Sequence, residues 1–175
     1  LSRLSLRQRR DAVKTWTDRH VVVYESPASV LRTTWNCPKI QQLADGRILL
    51  LADRIPFPPG EWGIEDQARV FFWFSEDEGR SFSEPQPTSI RGICPDQVTE
   101  LSDDRWLLAT NFRVDDANRL TQMLFVSHDA GIPWAEPVPM NDDPSHAPAE
   151  ASIVGTDSYT HHKPPPTLYW ASPAV

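Results

Sequence analysis

Ser75-Glu76-Asp77-Glu78-Gly79-Arg80-Ser81-Phe82 and Ser127-His128-Asp129-Ala130-Gly131-Ile132-Pro133-Trp134 share the frame Ser-x-Asp-x-Gly-x-x-aromatic. Each follows an apolar run, Val70-Phe71-Phe72-Trp73-Phe74 in one case and Met123-Leu124-Phe125-Val126 in the other. Each is followed by x-Glu-Pro. A strand that ends in such an octet reads as a hairpin corner. The Asp side chain accepts from backbone amides two residues on, Gly supplies positive φ, and the aromatic ring pins the turn to the sheet.

A second pattern repeats in phase with the first. The stretch from Cys37-Pro38 through Leu43-Ala44-Asp45-Gly46-Arg47 to Leu50 aligns with Cys94-Pro95 through Leu101-Ser102-Asp103-Asp104-Arg105 to Leu108, the later copy being one residue longer. Both predict a hairpin with an Asp-Gly or Asp-Asp turn whose second strand is buried on both faces. A weaker third copy begins at Ala147-Pro148-Ala149-Glu150-Ala151-Ser152-Ile153-Val154. Two motifs recurring in one order, with several short strands in a period of roughly 50 residues, predict propeller blades. An immunoglobulin-like sandwich also has many short strands but gives no reason for the repeats.

The chain has 175 residues, with 17 Pro, seven Trp and a net charge of −7. That size suits one domain or part of a larger one. The acidic balance lacks the basic face of a nucleic-acid protein. No apolar run approaches a membrane span, so neither nucleic acid nor membrane is expected as a partner. Residues 1–20 lack the apolar core of a signal peptide, and the compartment is not legible. Cys37 and Cys94 each precede a proline at equivalent repeat positions and read as buried thiols on neighbouring sheets, not as a disulfide or metal pair. Neither a cofactor nor a metal is expected. There is no phosphate loop, no His-Glu-x-x-His and no Gly-x-Ser-x-Gly motif.

Three segments follow. Residues 1–20 read as an irregular start with an arginine cluster, 21–154 as blades, and 155–175 as an aberrant tail with adjacent His161 and His162 and a proline run. Within the blades, Ile55 to Arg69 forms a Pro/Gly-rich loop that carries Glu61, Trp62, Glu65 and Asp66. Long loops in repeat units gather on one face and often bear function.

The octets resemble the Asp-box, or bacterial neuraminidase repeat, of the sialidase superfamily, and the hairpins before them resemble that family's inner strands. The likeness covers about residues 35 to 154. It implies an all-β fold, a partial six-bladed propeller of about three four-stranded blades. Self-association through open blade edges is a corollary. It also implies an exo-acting glycoside hydrolase on terminal sugars of glycans, with a carbohydrate-binding module on the same scaffold as the alternative.

In that family three arginines hold the substrate carboxylate, an Asp serves as acid/base, and a Glu activates a Tyr nucleophile. Asn36 stands in Trp35-Asn36-Cys37-Pro38 where the first arginine of the aromatic-Arg-x-Pro stretch would be. An amide offers a neutral donor in place of a charged fork, which turns the expectation away from sialic acid itself. Asp53 and Arg54 resemble the acidic-x-Arg end of the inner hairpin. Asp66 fits the acid/base, with Glu65 and Glu61 as rivals and Trp62 as a desolvating neighbour. Glu150 resembles the Tyr-activating carboxylate. Asp96 and Gln97, at the start of the second inner hairpin, suit sugar hydroxyls.

Overall fold

The computed structural model describes residues 3–6, 20–24, 32–57, 67–113, 120–140, 152–154 and 169–171. The elements among them are strands. β1 (Arg3–Leu6) pairs antiparallel with β2 (His20–Tyr24). β3 (Arg32–Gln42), β4 (Ile48–Phe57), β5 (Arg69–Ser75) and β6 (Gln86–Arg91) form a four-stranded antiparallel sheet in sequence order. β7 (Thr99–Glu100), β8 (Trp106–Arg113), β9 (Leu120–Ser127) and β10 (Val138–Pro139) form a second sheet of the same order. β11 (Ser152–Val154) pairs with β12 (Tyr169–Ala171).

The two four-stranded sheets are copies of one unit. Both hairpin turns are closed by the expected aspartate: Arg47 N–H donates to Asp45 Oδ1 at 2.9 Å and Arg105 N–H to Asp103 Oδ1 at 3.4 Å. Gly46 and Asp104 take the left-handed position at φ 90° and 65°. The second hairpin strand is buried on both faces as expected, with Leu49, Leu50, Leu51 and Ala52 in one copy and Leu107, Leu108 and Ala109 in the other.

The corners also match. Ser75 and Ser127 are buried, and their hydroxyl oxygens accept the Gly79 and Gly131 amides at 2.8 and 3.0 Å. Asp77 accepts the Ser81 amide and hydroxyl, and these bonds, with the Ser75 hydroxyl, hold its carboxyl down to about 2. Beyond each corner the outer strand rejoins the sheet through Ser83 N–H to Phe74 O and Ala135 N–H to Val126 O, both 2.8 Å.

Alternation along the strands decides how the sheets stack. Leu49, Leu51, Val70 and Phe72 face Trp106, Leu108, Met123, Phe125 and Trp134 in one cluster, so the second sheet lies on one face of the first. Trp35, Leu50, Ala52 and Trp73 on the opposite face pack with Leu4 of β1 and with Val22. Phe82 joins that cluster, whereas Trp134 joins the first. Each aromatic thus fills the same side of its own sheet. A fully buried Leu or Phe contributes roughly 1.5–3 kcal/mol, so the face between sheets is the principal core.

Two short strands lie in the terminal segments. Residues 3–6 are a strand, because Leu4 alternates inward onto Trp35 and its neighbours despite the arginines around it. Tyr169–Ala171, in the segment read as an aberrant tail, pairs antiparallel with Ser152–Val154.

Candidate functional site

The inner strands converge where β3 and the segment before β7 each break register. In β3 the ladder to β4 runs through Asn36↔Asp53, then skips Cys37 and Pro38 and resumes at Lys39↔Leu51. The second copy bridges Ile93↔Asn111 and resumes with Asp96 N–H donating to Ala109 O at 2.9 Å. Cys37 and Cys94 hold the bulge at φ 42° and 50°. The extra residues re-aim the side chains on either side, a common role for a bulge beside a site.

At the first bulge the Asn36 amide donates to Asp53 Oδ2 at 3.4 Å. Asp53 is fully buried, and its Oδ1 has no hydrogen-bond partner among the described residues. Burial pushes its carboxyl up from 3.8 to about 6, against the pull of the Asn36 amide and of the Asp53 and Cys94 backbone amides. The carboxyl holds the half-exposed Asn36 side chain through this bond.

Arg54 does not join them. Its neighbour Asp53 points to the other face of the strand, and the guanidinium lies 5.6 Å over the Trp35 ring and 6.0 Å over Phe71. Asp96 is also turned to a structural bond, its Oδ2 accepting the Ile153 amide at 3.0 Å. Gln97 is exposed beside it. Of the residues read from the sequence, the structure therefore brings Asn36 and Asp53 together and places Arg54 on the opposite face. Asp66 and Glu150, with Glu61, Trp62 and Glu65, lie outside the described residues. Among the described residues no group of three or more His, Cys, Asp or Glu could hold a metal.

Three features were missed in the sequence. Asn111 is buried at the position of Asp53 in the next copy, and its Oδ1 has no partner among the described residues. Gln41 reaches across to the next inner strand, donating to Val98 O at 2.9 Å and accepting Val98 N–H at 2.8 Å. Cys37 and Cys94 touch and are half-exposed instead of buried. The hairpin alignment held the signal for Asn111, since counting onward from the two turns sets it opposite Asp53.

No curated protein matches the chain. The model of the BNR repeat-like domain, typical of sialidase-type propellers, matches residues 3–158. That span takes in both four-stranded sheets and both aspartate corners, and the chain belongs to the BNR repeat-like domain family.

Proposed function

We propose that the chain is the N-terminal part of a sialidase-type exo-glycosidase that removes a terminal sugar from a glycan. The observation that carries this reading is the Asn36–Asp53 pair, an amide held by a buried carboxyl at the bulge of an inner strand. An amide both donates and accepts, which suits vicinal sugar hydroxyls. A guanidinium would favour an anionic carboxylate, but Arg54 stacks on Trp35. The substrate is therefore a neutral terminal sugar in preference to sialic acid. Asp66 is assigned as acid/base, Glu150 as the activating carboxylate and Gln97 as a hydroxyl contact.

A second reading, a carbohydrate-binding module without turnover, is favoured by Asp53 and Asp96. Both carboxyls serve internal hydrogen bonds. The test incubates the chain, and a longer chain supplying further blades, with fluorogenic aryl glycosides of neutral hexoses and with a sialoside. Turnover of a neutral glycoside that falls at least 100-fold in Asp66→Asn and Glu150→Gln supports the enzyme. Sugar binding without turnover by either chain replaces it with the binding module. Neither binding nor turnover overturns both.

A further inference from the structure

Cys37 and Cys94 are the chain's two cysteines, and the repeat sets them in the same slot of successive sheets. They are separated by 57 residues, yet their sulfurs stand 3.3 Å apart, with the Cys37 thiol donating toward Cys94 Sγ. Both are thiols in this structure, and both residues are half-exposed.

The backbone holds the pair on both sides. Asn36↔Asp53 and Ile93↔Asn111 fix the residues before the two cysteines. Gln41 ties the two inner strands together further along, at Val98. The left-handed φ at both cysteines is an uncommon conformation for a residue with a side chain, and both members of the touching pair share it.

We propose that Cys37 and Cys94 form a reversible disulfide across the junction of the two sheets, made by exchange with a low-molecular-weight disulfide of the glutathione type. A disulfide needs sulfurs about 2.05 Å apart, so the approach required is on the order of 1 Å. One cysteine thiolate attacks a sulfur of the oxidant. A mixed disulfide forms and one small thiol leaves. The second cysteine thiolate then attacks the sulfur of the first and expels the other small thiol. Two electrons pass from the cysteine pair to the oxidant, and the two protons lost by the cysteines are regained by the two released thiols.

The bond would act on the site beside it. Asn36 directly precedes Cys37, and the Cys94 backbone amide is one of the groups acting on the Asp53 carboxyl. Oxidation locks both flanks of the Asn36–Asp53 pair to one rigid junction, and reduction releases them.

The test equilibrates the whole chain with a series of oxidised-to-reduced glutathione ratios, folded and in urea, then quenches with acid and alkylates. The expected product has lost two hydrogens and gives tryptic peptide 33–39 joined to peptide 92–105. The effective concentration of one thiol for the other should be at least roughly tenfold higher folded than in urea. Cys94→Ser should halt at a stable glutathione adduct on Cys37. Overturning results are adducts or intermolecular dimers alone in the wild type, folded thiols that stay alkylatable at ratios that oxidise the urea-unfolded chain, or no adduct in Cys94→Ser.

Discussion

Asp53 and Asn111 occupy one position in successive sheets, each buried, each two strands in from the sheet's aspartate corner and each with an unpartnered Oδ1 among the described residues. One copy keeps an ionisable group where the other has its neutral isostere. The second sheet therefore accepts an amide at this position.

Asp53→Asn should fold, and its stability relative to wild type should depend on pH in a defined window. The folded-state carboxyl is raised from 3.8 to about 6, so the native state binds the proton more tightly than the unfolded chain. The favourable contribution is complete below pH 3.8 and is lost as pH rises to about 6. Across that range the wild type should lose up to about 3 kcal/mol relative to the variant. Urea unfolding of both proteins from pH 4 to 7 checks this, and a pH-independent difference refutes it.

The first corner works in the opposite direction. Ser81 donates twice to Asp77 and holds its carboxyl down to about 2, so this contribution is present above pH 3.8 and lost as pH falls toward about 2. Asp77→Asn should destabilise at pH 5 and approach wild type at the acid end. Asp129→Asn should cost less, because Pro133 at the place of Ser81 has neither an amide hydrogen nor a hydroxyl. Equal losses in the two variants at pH 5 would contradict that assignment.

Gly92→Ala should be among the most damaging single-methyl changes. A Cβ there would lie 2.6 Å from Thr110 Oγ1 and 2.7 Å from the Asn111 carbonyl, at φ 105°. Gly46→Ala meets nothing within 4 Å and suffers only from its φ of 90°. The expected losses are about 1–2 kcal/mol for Gly46→Ala and several kcal/mol for Gly92→Ala. Thermal unfolding ranks them, and the reverse order would show that the Gly92 contact relaxes at no cost.

Gln41→Leu keeps the bulk and removes both bonds to Val98, leaving its half-shielded backbone groups without that partner. The loss should be about 1–3 kcal/mol, read from urea midpoints. Amide exchange should rise at Val98 while the corner amide of Gly79 stays protected. Uniform exchange across both sheets would mean that the tie is not local.

The repeat was legible because its determinants are local. Asp45, Asp103 and Asp77 each act within four residues of themselves, and Phe82 and Trp134 close the octets they end. The bulge was not legible, since a residue before proline ordinarily takes extended φ, yet Cys37 and Cys94 are left-handed. Burial of Asp53 was hidden for another reason. A strand enclosed on both faces has no alternation to show which side Asp53 or Arg54 takes. The contact between Cys37 and Cys94 depends on how two sheets meet, and neither hairpin carries that information alone.

The ties from Gln41 to Val98 and from Asp96 to Ile153 span the same 57 residues, and in each the later partner offers only its main chain. Other ties run the opposite way, with Glu100 accepting the Ala44 amide at 2.9 Å and Thr110 donating to Arg91 O at 2.6 Å. In each of these ties one partner offers only a main-chain group, which any residue can supply, while the apolar face between the sheets depends on its side chains. Drift at the main-chain end of such a tie leaves the bond intact, whereas drift in the apolar face between units does not.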